Sequence, residues 1–140
     1  MKANELMLGD WVYGLYPDGS RYKPPFRISA VDTYPSNKSP RIVTEGGYGF
    51  QEEHLAPIPI TGEILEKNGF KRVRDKLGRV FYSIADDYFD LTIDEITDSI
   101  WCVEYDNLEA QFPTCRNLVA HVHELQHALK LYGIDKEIIL

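Results

Sequence analysis

The chain is poor in the residue types that identify a function directly. Its 140 residues include two cysteines, two methionines and two tryptophans. A pair of cysteines cannot build a disulfide-rich scaffold, and the thirteen-residue separation of Cys102 and Cys115 lacks the C-x-x-C spacing that is typical of zinc sites. The sequence leaves open whether these two thiols interact in the fold.

Long hydrophobic runs are also missing. No stretch approaches the roughly 20 apolar residues that a membrane-spanning helix needs. Residues 1–5, Met-Lys-Ala-Asn-Glu, do not begin an apolar run of the kind that is typical of a signal peptide. We therefore expect a cytoplasmic protein with no membrane partner.

The chain has fewer basic than acidic residues, 15 compared with 22, and its net charge is −7. This balance argues against general binding of nucleic acids, which depends on cancelling phosphate charge. The charges are unevenly placed, because residues 71–79 hold five basic side chains and one acidic, whereas residues 86–109 hold nine acidic and no basic ones. If the two stretches form adjacent strands, their charges would pair across the sheet. The alternative is a phosphate or nucleic-acid contact, with four candidate residues: Lys71, Arg72, Arg74 and Arg79.

What the sequence does contain is a regular pattern of short strands and turns in its first half. Residues 6–14, 26–32, 40–44 and 49–52 have strand character and are separated by turn formers. This pattern predicts a small SH3-like β-barrel over residues 1–56, followed by a proline-rich hinge at residues 57–61. The aromatic residues of this half either form the core and rim of the barrel or line a binding groove. They are Trp11, Tyr13, Tyr16, Tyr22, Phe26, Tyr34 and Tyr48, with Trp11 and Tyr13 as the candidate binding residues.

The second half, residues 62–140, has a different pattern. Thr61 is a suitable N-cap for a short helix, and Gly69 is a suitable end for it. A hairpin with its turn at residues 75–78 and two further strands, at residues 88–93 and 100–105, predict an antiparallel meander of about four strands. A long C-terminal helix ending at Gly133 would cover one sheet face with an apolar stripe. The stripe consists of Leu118, Val122, Leu125, Leu129 and Tyr132. The whole chain is thus predicted to be α+β.

The same helix carries the sequence H-E-x-x-H at residues 123–127. On a helix, His123 and His127 would lie on one face and could bind Zn²⁺, with Glu124 as the general base of a hydrolase. A catalytic zinc also needs a third protein ligand, and the metzincin pattern would place glycine at Lys130 and histidine at Gly133, where neither occurs. Both histidines also fall opposite the apolar stripe. We therefore expect an exposed polar face that binds no metal.

Three segments of the sequence resemble a known group of proteins. They are L-x-x-G-D-W-V at residues 6–12, P-I-P-I-T-x-x-I-L-x-K-N-G-F at residues 57–70, and V-H-E-L-Q-x-A-L-x-x-Y-G at residues 122–133. Together they resemble a family of small uncharacterised proteins of Bacteroides-type bacteria and their prophages. The resemblance implies no assigned activity. Members of that family usually have asparagine where this chain has His127, which implies that the family lacks a zinc-binding pair.

Three functional hypotheses follow. The first is a non-enzymatic accessory protein of phage or mobile-element type that acts by binding a protein partner and uses no cofactor. The second is a nucleic-acid-associated module that uses the basic hairpin at residues 71–79 or the barrel aromatics. The third is a zinc-dependent hydrolase that uses the H-E-x-x-H residues. The sequence names neither the partner nor the oligomeric state.

Overall fold

The computed structural model of the protein describes residues 1–32, 40–108 and 115–140. In this part of the chain, ten strands form two five-stranded antiparallel sheets, and there are two α-helices. The prediction of an α+β fold is confirmed. The chain divides into two compact units, Met1–Ile58 and Pro59–Leu140, and each is described by itself.

The first unit is a single open sheet with two short 3₁₀ turns. Its strands are β1 (Trp11–Gly14), β2 (Phe26–Asp32), β3 (Arg41–Thr44), β4 (Gly49–Gln51) and β5 (Leu55–Pro57), and its 3₁₀ turns are Ala3–Glu5 and Glu52–His54. The strand order is β4-β3-β2-β1-β5, so the last strand pairs with the first. As described, the sheet does not close into a barrel, and β4 and β5 are its edges.

Alternating burial explains how these strands build a core. In β1, Val12 is buried while its neighbours Trp11 and Tyr13 are half-buried on the other face. The core face also carries Ile28 and Ile42, both buried. Because strand side chains point alternately to the two faces, one face of the sheet collects the apolar side chains. A bulge between Ile28 and Ala30 bends β2.

Strand limits in this unit differ from those predicted. The first predicted strand, residues 6–14, is a strand only from Trp11 onward, and β5 occupies part of the predicted boundary region. Residues 57–61 are divided between the two units, because Pro57 ends β5 and Pro59 forms an isolated bridge with His121 in the second unit. Proline is tolerated in β5 because this is an edge strand, where a missing N–H costs no ladder bond.

The second unit is a five-stranded meander with two helices. Its elements are α1 (Gly62–Lys67), β6 (Lys71–Arg74), β7 (Val80–Ala85), β8 (Phe89–Thr97), β9 (Ile100–Asn107), β10 (Cys115–Val119) and α2 (Val122–Leu131). The strands follow the order β10-β9-β8-β7-β6. Leu91, Ile93 and Val103 are fully buried on one sheet face, and Leu125 and Leu129 are fully buried on α2. The unit therefore has a sheet-and-helix core.

The helix ends follow the capping residues that the sequence indicates. The Thr61 hydroxyl accepts a hydrogen bond from the N–H of Ile64 at 3.2 Å. Gly69 and Gly133 both adopt the left-handed conformation, at φ +80° and +74°. After Gly133 the N–H of Ile134 donates to the carbonyl of Leu129 at 2.9 Å, which is a Schellman arrangement.

One prediction for the second unit is wrong. Leu118 is not part of the helical stripe, because it lies in strand β10 and is 67% exposed. The strand was missed because a five-residue segment next to an amphipathic helix reads as an extension of that helix. The two charged stretches meet in part: β7 separates the basic strand β6 from the acidic strands β8 and β9, whereas Arg79, at the end of the basic stretch, lies near Asp94 of β8.

The longest described helix, α2, has ten residues. No helix within residues 1–32, 40–108 and 115–140 is both long and apolar enough to cross a membrane.

Candidate functional site

The H-E-x-x-H residues lie in the first part of α2, where the structure corrects the predicted exposed face. His123 is 4% exposed and thus buried, while His127 is half-buried. The neighbours Val122 and Leu125 are fully buried, as expected. The prediction failed because it assumed that only one stripe of the helix meets the rest of the unit. Instead, buried residues lie on most sides of α2, and one of them is Gln126, whose side chain is polar.

Glu124, the candidate general base, has a structural role at the start of α2. Its carboxylate accepts hydrogen bonds from the N–H groups of Ala120 at 2.6 Å and His121 at 3.1 Å. Burial is the largest single influence and raises the pKa of this carboxyl, but the two N–H donors together with the nearby His121 and His123 hold the pKa below its ordinary value. The carboxylate thus satisfies main-chain donors that have no partner within the helix.

The histidines of this segment do not assemble a metal centre. The rings of His121 and His123 are nearly parallel with centroids 5.7 Å apart, and those of His123 and His127 are perpendicular at 5.8 Å. Throughout the part of the chain that the structure describes, no three or more His, Cys, Asp or Glu residues are placed to hold a metal ion. Cys102 and Cys115 are free thiols whose cross-strand partners are Leu118 and Tyr105, respectively.

The basic hairpin does not present its cations on a common surface. In β6 the side chain of Lys71 points to one face of the sheet, whereas those of Arg72 and Arg74 point to the other. Arg79 is bound to Asp75, with 2.7 Å between Nε and Oδ2. The four candidate phosphate ligands are therefore spread over both faces, and one of them is already paired with a carboxylate.

Trp11 and Tyr13, the two candidate binding residues of the first unit, lie on the outer face of β1. The guanidinium carbon of Arg21 is 4.9 Å from the centre of the Tyr13 ring, so an intramolecular cation–π contact covers part of that ring. Neither residue lines the groove described next, and this surface is a weaker candidate than that groove.

A cluster of aromatic side chains borders an open groove of about 380 Å³ in the first unit. The lining residues are Leu15, Pro17, Tyr22, Gly49, Phe50, Gln51 and His54. Tyr16 and Tyr22 stack with their centroids 3.6 Å apart, and Tyr22 meets Phe50 edge-on at 5.8 Å. Tyr16 is 43% exposed. The groove therefore has an aromatic wall that water can reach.

The connection between β1 and β2 forms one side of this groove. It is a hairpin-like loop in which Leu15 bridges Arg21 and the N–H of Tyr16 donates to the carbonyl of Ser20 at 2.9 Å. Gly19, at φ +82°, provides the left-handed residue of the tip. The Asp18 carboxylate accepts the hydroxyl of Ser20 at 2.6 Å, and this hydrogen bond lowers the pKa of Asp18. The loop is thus held in one shape by its own contacts.

Gly14 allows the aromatic rings to pack against the sheet. A methyl group at this position would lie 2.7 Å from Cε1 of Phe50 and 3.1 Å from Cε2 of Phe26. Both distances are shorter than a normal carbon–carbon contact of about 3.5–4.0 Å. The missing side chain therefore leaves space for the ring of Phe50, which is one of the residues that line the groove.

Sequence reasoning identified part of this site. Tyr22, which lines the groove, and Tyr16, which stacks on it, belong to the aromatic set that the sequence predicted as either groove or core, and Tyr34 of that set lies outside the described residues. The strong turn signal at residues 17–20 was available as a clue to the rigid loop. His54 was missed because it reaches the groove from a 3₁₀ turn with no signal of its own. Gln51 was missed because the predicted strand at residues 49–52 does not show which of its side chains meet the loop.

Comparison of the chain with protein-family models, with curated protein sequences and with solved structures gives no match.

Proposed function

We propose that the chain is a non-enzymatic binding protein whose first unit is an SH3-like module that binds an extended, proline-containing segment of a partner protein. The observation that carries the proposal is the stacked pair Tyr16–Tyr22 beside the open groove, which is lined by Tyr22 and Phe50. Two features support the SH3-like assignment: β5 returns to pair with β1, and the 3₁₀ turn Glu52–His54 leads into it.

The chemistry of the groove favours this kind of ligand. A polyproline II segment is already extended, so it loses little conformational entropy on binding, and its rings pack well on aromatic faces. The wall of Tyr22 and Phe50 offers such faces, while the exposed side chains of Gln51 and His54 can hydrogen-bond to ligand main-chain carbonyls. A groove of about 380 Å³ has the size of an ordinary small ligand site.

The charge of the first unit is compatible with a peptide ligand and unfavourable for a polyphosphate. Residues 1–58 contain six basic and seven acidic side chains. A nucleic-acid site would need a surplus of positive charge along the groove. The likeness to prophage-associated proteins supports the wider proposal that the protein is an accessory factor of phage or mobile-element type.

Binding of a fluorescein-labelled oligoproline peptide, followed by fluorescence anisotropy, tests the proposal. The native chain should bind the peptide, and Tyr22→Ala should weaken binding by about tenfold, equivalent to about 1.4 kcal/mol. Tyr48→Ala is the matched control, because Tyr48 also packs on Phe26, at 5.4 Å, but does not line the groove. Tyr48→Ala should keep native affinity.

Two results would contradict the proposal. One is the absence of oligoproline binding by the folded native chain, and the other is an equal loss of affinity in both tyrosine variants. A labelled oligothymidine, measured at low and at moderate salt, tests the nucleic-acid alternative in the same assay. Tight, salt-dependent binding of oligothymidine without binding of the peptide would favour that alternative.

A further inference from the structure

The last residues of the second unit occupy a site built around Asn68. The side-chain amide of Asn68 donates to the carbonyl of Ile139 at 2.8 Å and accepts the N–H of the same residue at 2.8 Å. Its nitrogen also donates to the carbonyl of Ile64 at 2.8 Å. Asn68 itself is buried. One amide side chain thus binds both main-chain groups of a single residue, as a neighbouring strand would do.

The contacts on either side of Ile139 give this site a sequence preference. Ile138 is fully buried, with an exposed fraction of 0%, whereas Ile139 is 58% exposed. Lys67 donates from Nζ to the carbonyl of Leu140. The site therefore requires an aliphatic side chain at position 138, whereas it uses only the main chain of residues 139 and 140. Recognition of this kind is typical of extended peptides that dock through alternate side chains.

The segment that connects α2 to this docked tail is short and mostly exposed. Gly133 ends the helix, Ile134 is fixed by its hydrogen bond to Leu129, and Asp135 and Glu137 lie in solvent. The contacts at Asn68 do not depend on which chain supplies the tail. An element that is held by identical contacts and joined through a short connection can be exchanged between two copies.

We propose that the Asn68 site is a peptide-binding site that also accepts residues 138–140 of a second copy of the chain, so that two chains exchange their tails. The tail of the same chain occupies the site at low protein concentration. Because this tail is part of the same chain, its effective concentration at the site is high, and a segment from another chain must compete with it. This inference is independent of the groove in the first unit.

A labelled peptide with the sequence of residues 133–140 tests the proposal on the full chain. The native chain should bind it weakly, because the resident tail competes. Full-length Ile138→Ala, in which the resident tail is weakened, should bind the native peptide at least about tenfold more tightly. Full-length Ile139→Ala is the matched control. Because Asn68 holds only the main chain of residue 139, this variant should bind the peptide as weakly as the native chain does.

Adding Asn68→Ala to the Ile138→Ala chain should abolish peptide binding. The proposal is overturned if Ile138→Ala keeps a native circular dichroism spectrum but does not bind the peptide. If that variant fails to fold, native mass spectrometry of the native chain over a range of concentrations decides the matter. A dimer that grows with concentration and is dissociated by excess peptide supports the exchange, whereas a monomer at all concentrations overturns it.

Discussion

The carboxylate of Glu124 accepts a 2.6 Å hydrogen bond from the N–H of Ala120, two residues before the first residue of α2. Main-chain N–H groups at the start of a helix have no acceptor within it, so a glutamate in the first turn supplies one. This contact changes how the H-E-x-x-H sequence is understood. Glu124, the candidate general base of this motif, instead stabilises the start of α2.

Glu124→Ala is expected to lower the free energy of unfolding by about 0.5–2 kcal/mol, because two N–H donors lose their acceptor. Urea denaturation followed by circular dichroism measures the change. The effect should depend on pH. Because the folded pKa of Glu124 is lowered, the stability that its charge contributes is present above the unfolded pKa and is lost as the pH falls through the folded pKa. Glu124→Gln should therefore show a weaker loss of stability in acid than the native chain.

Asn68→Ala is expected to destabilise the second unit by about 2–4 kcal/mol, since three hydrogen bonds at 2.8 Å are lost and main-chain groups of Ile139 are left to find other partners. Asn68→Asp is the informative companion, because it keeps the acceptor for the Ile139 N–H and removes both donated bonds. Its stability at neutral pH should be no higher than that of the alanine variant, because a carboxylate oxygen would face the carbonyl oxygens of Ile64 and Ile139 at a buried position. Equal stability of all three chains in urea would show that the tail is not docked in solution.

Ile138 and Ile139 are neighbours with opposite surroundings, so the same substitution should have different costs. Ile138→Ala removes a fully buried side chain and should cost about 2–5 kcal/mol. Ile139→Ala changes a side chain that is 58% exposed and should stay within about 0.5 kcal/mol of the native chain. Urea denaturation of both variants is the measurement. Similar losses in the free energy of unfolding for the two variants would contradict the burial of Ile138 and the exposure of Ile139 in the docked tail.

Gly14→Ala is expected to cost about 1–3 kcal/mol, because the added methyl group would overlap the ring of Phe50 and crowd that of Phe26. The displaced Phe50 ring should also weaken oligoproline binding. Gly46→Ala is a control in the same sheet region, since its methyl group would meet only the edge of the exposed Tyr48 ring, at 3.1 Å. A native affinity in Gly14→Ala would mean that the position of the Phe50 ring does not matter for peptide binding.

The two thiols should differ in reactivity. Burial is the largest cause of the raised pKa of Cys102, and the nearby carboxylate of Glu104 adds to it, so the reactive thiolate is scarce at neutral pH. Cys115 is exposed on β10. Iodoacetamide should therefore modify Cys115 several times faster than Cys102, as peptide mapping by mass spectrometry would show. Faster labelling of Cys102 would indicate that β9 opens readily.

Prediction from sequence was most successful where the signal was local. The hairpin with its turn at residues 75–78 and the cap at Thr61 depend on a few neighbouring residues, and both occur as predicted. The end of α2 at Gly133 is a third such case. Errors arose where a short segment borders a stronger pattern. For this reason, Leu118 of strand β10 was assigned to the predicted helix.

Burial was harder to predict than secondary structure. The exposed face expected for His123 was wrong, because periodicity within one helix does not tell how many sides of it are covered. The docking of the tail was missed for the same reason, because it depends on contacts with a distant part of the chain. Residues 134–140 carry no helix or strand signal, yet Asn68, about seventy positions earlier, binds Ile139.

The sequence alone therefore determined the α+β class, the positions of most turns and caps, and the absence of a third zinc ligand at the expected positions of the metzincin pattern, since each depends on residues that are close in the chain. Only the tertiary structure decided that Glu124 caps a helix, that His123 is buried and that Tyr22 and Phe50 meet at one groove, with Tyr16 stacked on Tyr22. Such features depend on contacts between residues that are distant in sequence, and these form only when the hydrophobic surfaces of separate elements are buried together.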